Sequence, residues 1–170
     1  EVVFQPVPPA PGIPCGSNGA EAPEFRFSAN AGESPRSLRE VASGGELSRV
    51  FLALKNVLRR ADRGMVLIFD EVDAEIGGQV ADRVGAALET LSVDHQVLCI
   101  THLPQIAKFA GHHFRITKHV RAGRTETSLE RLHHEARVRE IARMLSGEKI
   151  TSKTLAHARE MVAGDSLSDA

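Results

Sequence analysis

The period of the hydrophobic pattern changes along the chain, and each change marks an element. Met65-Val-Leu-Ile-Phe69 is five apolar residues without a break, too short for a helix and typical of a strand covered on both faces in a parallel sheet. Gln96-Val-Leu-Cys-Ile-Thr101 predicts a second such strand. Between them, after the break at Gly77-Gly78 and before Ser92, Val80, Val84, Ala87, Leu88 and Leu91 recur at helical spacing. Strand, helix, strand in that order predicts a right-handed crossover. Upstream, Leu47, Val50, Phe51, Leu54, Val57 and Leu58 mark another helical face. Downstream, Phe114–Lys118 and Thr125–Leu129, joined through Arg121-Ala-Gly-Arg124, predict a β-hairpin. Two helices follow: Val138, Ile141, Ala142 and Leu145 face one way before Gly147, and Leu155, Ala158 and Val162 face inward after a Thr151/Ser152 cap. Together these predict an α/β fold, mainly a parallel sheet flanked by helices with a C-terminal hairpin and helices.

The beginning of the chain differs. Residues 1–24 hold six of the eight prolines, with Gly12, Gly16 and Gly19, and read as an irregular segment apart from a short strand at Val2-Val-Phe4. A half-buried strand at Glu24–Ala29 and a turn at Asn30–Pro35 open the folded part, residues 25–170. The chain starts with Glu1 rather than Met and is read as a piece of a longer protein.

Three acids, Asp70, Glu71 and Asp73, come directly after the first apolar run. Ligands of parallel sheets gather at the carboxyl ends of the strands, and successive strand side chains point to opposite sides. Asp70 is thus placed to hold Mg²⁺, directly or through water, and Glu71 to orient an attacking water. A solvated turn or a helix start explains an acid pair as well. Ser43-Gly-Gly-Glu46 offers the same choice. Ser43 with Glu46 three residues on has the form of a capping box, yet a capping box needs no pair of glycines. A hydroxyl and two bare amides at a helix start also admit a phosphate closely. His102, just past the second strand, either reaches a phosphate or a catalytic water, or caps the helix predicted at Pro104–Phe109.

Composition narrows the partners. Lys and Arg number 21 against 22 acids, for a net charge of −1, so a nucleic-acid contact would be local. Arg59, Arg60 and Arg63, and Arg137, Arg139 and Arg143, are candidates for phosphodiesters or equally members of a solvated face. With no Trp or Tyr, base stacking is poorly served. The apolar runs fall far short of the roughly 20 residues of a membrane span, and Cys15 and Cys99 read as free thiols of a reducing compartment. The expectation is a cytoplasmic protein without a membrane partner. His112, His113, His119, His133 and His134 lack the spacing of a zinc site.

Three motifs in fixed order, Ser43-Gly-Gly-Glu46, Val66-Leu-Ile-Phe-Asp-Glu71 and Val97-Leu-Cys-Ile-Thr-His102, resemble the signature, Walker B strand and switch histidine of ABC-type ATPases. More closely, Val41-Ala-Ser-Gly-Gly-Glu-Leu-Ser-Arg49, Phe69-Asp-Glu-Val-Asp73 and Thr101-His-Leu-Pro-Gln105 resemble the RecN family, SMC-like ATPases of bacterial double-strand break repair. The likeness continues through Thr125-Glu-Thr127 and Ala136–Arg143. It implies that the chain is the C-terminal lobe of an ATPase head, with ATP and Mg²⁺ as its ligands. Ser43, Gly44 and Gly45, with Glu46 of the same motif, would meet the γ-phosphate of ATP held by a second head. Asp70 would serve Mg²⁺, Glu71 would polarise water and His102 would sense the γ-phosphate. The implied partners are an N-terminal P-loop lobe of the same protein, a second head in a homodimer, and DNA as ends or duplex, with a nucleoid-associated location. Two features depart from the pattern. Gly77 occupies the place where many ABC proteins carry the D-loop aspartate, and no P-loop or Gly-Lys dipeptide occurs in the chain. Two other functions remain open, a non-catalytic dimerisation or DNA-binding module and, less in keeping with Phe69–Asp73, a transport ATPase domain.

Overall fold

The computed structural model describes residues 1–6, 19–28, 32–38, 43–121 and 123–163. Cys15 and, of the turn expected at 30–35, residues 30 and 31 lie outside them. The N-terminal strands are β1 (Val2–Pro6), β2 (Glu21–Phe27) and β3 (Arg36–Ser37), in an antiparallel sheet of order β1-β2-β3. Here the sequence reading is corrected. Residues 21–23 belong to a strand rather than to an irregular segment, and a boundary after residue 24 falls inside β2. Pro23 hid that strand. It sits opposite Phe4, while β3 reaches only Arg26 and Phe27, so the missing N–H falls where β2 has one strand neighbour.

Helix α1 (Gly44–Leu58) starts where the sequence puts it, with Ser43 as N-cap in extended conformation and its side chain accepting from the Glu46 amide. It leads into β4 (Val66–Phe69), then α2 (Gly78–Ser92) and β5 (Gln96–Cys99). β4 and β5 are parallel, with Phe69 opposite Cys99, as the apolar runs predict. α1 and α2 supply the cover. Leu52, Leu67, Phe69, Val72, Ala81 and Leu91 lie in one core, and the Phe51 and Phe69 rings meet at 5.7 Å between centroids. On α2, Gly85 marks a close approach: a Cβ there would lie 2.3 Å from the Phe109 ring.

Two expectations about this sheet change. Among the described residues the parallel part is this one pair, and the other two sheets are antiparallel. The pair is covered on one face only. Leu67 and Phe69 are 4% and 1% exposed, whereas Val66 and Ile68 are 58% and 66% exposed, and Leu98 and Ile100 are exposed with them.

The remainder comprises α3 (Pro104–Ala107), the hairpin β6 (His113–Arg121) and β7 (Arg124–Leu132), α4 (His134–Ser146) and α5 (Ser152–Ala163). The hairpin strands are longer than the alternation alone indicates. Gly147 ends α4 at φ 70°, and Thr151 caps α5 by accepting from the Thr154 amide at 3.2 Å. Val138, Ile141, Ala142 and Ala158 form a second core with Ala107. Among the described residues, no helix is long and apolar enough to cross a membrane.

Candidate functional site

At the carboxyl ends of β4 and β5 the chain turns sharply and the polar residues collect. Asp70, Glu71, Asp73, Thr101 and His102, with Ile100, line a shallow hollow of about 290 Å³. The parallel register explains the meeting: Phe69 and Cys99 are level, so residues just beyond each emerge side by side. The turn is tight enough to force Glu71 to φ 57°, a left-handed conformation that costs a non-glycine residue about 1–2 kcal/mol. Asp70 braces it, its Oδ1 accepting from the Glu71 amide at 2.9 Å.

Helix α1 holds this turn from the side. Ser48 Oγ donates to the Asp70 carbonyl at 2.9 Å, and the Arg49 guanidinium donates to the carbonyls of Val72 and Ala74 at 3.3 and 2.9 Å. The glycines of the Ser43-Gly-Gly-Glu46 motif face the same turn. A Cβ on Gly44 would lie 2.8 Å from Glu71 Oε2, and one on Gly45 would lie 2.7 Å from the Ala74 Cβ and 2.9 Å from the Glu71 carbonyl. Gly45 is therefore small because the backbone of the acid turn approaches it, whereas Gly44 meets only the movable end of the exposed Glu71 side chain. Ser43 and Glu46 form the cap, Ser43 Oγ accepting from the Glu46 amide at 3.1 Å.

The three acids differ in environment. Asp70 and Glu71 are exposed, whereas Asp73 is 5% exposed. Its Oδ2 accepts from Thr101 Oγ1 at 2.6 Å and from the His102 amide at 2.9 Å, and it lies 2.9 Å from His102 Nδ1. Burial pushes the Asp73 pKa up, but the hydrogen bonds from Thr101 and the His102 amide outweigh it and leave the carboxyl below the usual range. The Cys99 thiol beneath is pushed up to about 12, by burial first and then by Asp73 and Asp70, and is an inert neutral group. His102 does not cap α3: the N-cap is Leu103, without a side-chain cap bond.

Asp73 is the residue the sequence reading passed over. Of the three acids it is the one to which the sequence gives no task, and its partners lie 28 and 29 positions away. A signal was available in the two apolar runs, which, paired level and parallel, bring the residues following each into contact.

Among the described residues, no group of three or more His, Cys, Asp or Glu is arranged to hold a metal. Mg²⁺ in nucleotide sites typically takes one or two carboxylates and completes its shell with phosphate oxygens and water, and the exposed Asp70 fits that use. The arginine candidates are mostly engaged: Arg59 and Arg63 face Asp94, Arg143 grips Glu140 at 2.6 Å, and Arg137 donates to the Lys108 carbonyl. Arg60 and Arg139 are exposed.

No protein-family model matches the chain. Among curated proteins it is 48% identical over 147 residues to the DNA repair protein RecN of Treponema pallidum. It is 52% identical over 140 residues to that of Deinococcus radiodurans and 43% identical over 144 residues to that of Bacillus subtilis. These matches cover 86%, 82% and 85% of the chain and 26%, 24% and 25% of the relatives. The chain thus spans about a quarter of the length of the relatives it matches.

Proposed function

The chain belongs to the RecN family of DNA repair proteins, and from that premise we propose that it is the C-terminal half of an SMC-like ATPase head, which hydrolyses ATP when joined by a P-loop lobe and drives DNA-end or inter-DNA bridging during repair. The observation that carries the reading is the gathering of Asp70, Glu71 and His102 around one hollow at the carboxyl end of the parallel pair, beside a helix start capped by Ser43. Phosphoryl transfer asks little covalent chemistry of a protein and much positioning of charge. Mg²⁺, when bound with ATP, would neutralise charge on the phosphate oxygens. Asp70 is the carboxylate to hold it, and Glu71 is the base that orients water and accepts its proton. His102 faces the transferred phosphoryl group. Ser43, Gly44 and Gly45 offer hydroxyl and amides to the nucleotide of a second head, with Glu46 completing their cap. Two supports for the partner lobe are the exposed apolar residues of β4 and β5 and the share of the relatives' length that the chain leaves unmatched.

The test is Glu71→Gln in the full-length protein. Gln keeps the shape but neither polarises water nor takes its proton, so single-turnover hydrolysis should slow by about 10²- to 10⁴-fold with ATP still bound. The 170-residue chain alone, which lacks a phosphate-cradling loop, should give little heat with MgATP in calorimetry. Parental turnover in Glu71→Gln would leave a non-catalytic docking module as the better reading.

A further inference from the structure

Asp73 has no role in the scheme above, yet it is the most completely bonded side chain at the site. One oxygen, Oδ2, takes a hydroxyl and an amide and stands 2.9 Å from the His102 Nδ1. Thr101 adds a second link by accepting from the Leu103 amide at 3.0 Å, so the backbone from 101 to 103 is pinned at both ends. The His102 ring itself is open, with its side chain 76% exposed. With Nδ1 the ring nitrogen that lies against the carboxylate, Nε2 is left as the atom through which the ring meets anything in the hollow.

We propose that Asp73 is a positioning residue for His102: it holds the proton on Nδ1, fixes the plane of the ring and so presents Nε2 to the hollow. The inference rests on the phosphate-facing role given to His102 above. Its physical basis is that a neutral imidazole carries one N–H, and the partner of one nitrogen decides what the other does. A carboxylate at Nδ1 accepts only, so the proton stays there. To donate to an anionic oxygen, Nε2 must carry a proton as well. The three acids after β4 thereby divide their work: two are exposed, and the third is buried at the floor of the hollow and acts through the histidine.

Asp73→Asn tests this in two settings. In the 170-residue chain, ¹⁵N spectra of the histidine side chains should show neutral His102 protonated at Nδ1. In Asp73→Asn it should revert to the Nε2–H form that free imidazoles favour. An unchanged tautomer in a folded variant overturns the proposal, whatever the protein does with ATP. In the full-length ATPase, Asp73→Asn should lower kcat by about 10- to 100-fold with KM for ATP changed less than about two-fold. In a His102→Ala background the same change should cost nothing further, since the residue it acts through is gone. An equal loss in both backgrounds would make Asp73 a structural cap and overturn the proposal. Should Asn fail to fold, Asp73→Glu keeps the charge, and the Nδ1–H form should persist in it; reversion there overturns the proposal. Absence of ATP turnover in the parent would count against the ATPase reading, while the tautomer still decides whether Asp73 governs His102.

Discussion

The two faces of β4 are built from the same kind of residue and have different fates. Leu67 and Phe69 point into the core beneath α1 and α2, while Val66 and Ile68, each next in sequence, are more than half exposed. Ile68 lies beside Leu98 in the register, so the open side is an apolar surface shared by two strands. The difference teaches that hydrophobicity along a strand records what the whole protein buries, whereas burial in this chain records what the chain supplies. An apolar run is thus evidence for a partner as much as for a core.

The sharpest way to break the comparison is to truncate a side chain on each face. Phe69→Ala should cost about 3–5 kcal/mol in urea unfolding of this chain, because it removes a fully buried ring and leaves a cavity. A loss below about 1 kcal/mol would mean that the covered face is loosely packed. Adding carbon probes the same contrast more gently. Gly85→Ala sets a methyl against the Phe109 ring; overpacking of about 1–3 kcal/mol should outweigh the roughly 1 kcal/mol gain in helix propensity and lower the melting temperature. Val66→Ile also enlarges a residue, but on the open side, and should leave that temperature unchanged.

Acid should act on the packed regions next. Arg143 holds the Glu140 carboxyl below its usual range against the opposing effect of burial, and Asp73 is lowered by its donors. Groups with depressed folded pKa values stabilise the fold above their unfolded values, about pH 4, and lose that contribution as pH falls towards the folded ones. Stability should therefore fall with pH below about 4.5, and the fall should be shallower in Glu140→Gln. The smallest effect belongs to the open face. Ile68→Thr should change the stability of the isolated chain by no more than about 0.5 kcal/mol, and a larger loss would show that the face is covered within this chain.

These contrasts also explain what could be read from the sequence. The start of α1 was legible because its chemistry is local: Ser43 and the Glu46 amide are three residues apart. So were β4 and β5, whose apolar runs need no knowledge of their neighbours. The exposure of Ile68 was not, since it depends on what lies across the sheet. The strand around Pro23 was obscured by composition, and its pairing with β1 is decided 19 positions away, Phe4 opposite Pro23. At the site, Asp70, Glu71 and His102 were placed together from strand ends alone. Asp73 was missed because its meaning lies in a turn on another strand, and the packing reason for Gly45 was missed because it lies in the approach of the Glu71 carbonyl and Ala74.

The seating of α1 against the acid turn has a mechanical consequence. Ser48 and Arg49 hold three carbonyls of residues 70–74, while Gly45 leaves no slack beneath Ala74. Helix and turn therefore behave as a crank with a single pivot: a push on the tip at Ser43 is felt at Glu71 without a hinge between them to absorb it. A surface pressed against that tip would shift the bearing of the glutamate by fractions of an ångström, the scale that decides attack by a water under the role proposed for Glu71.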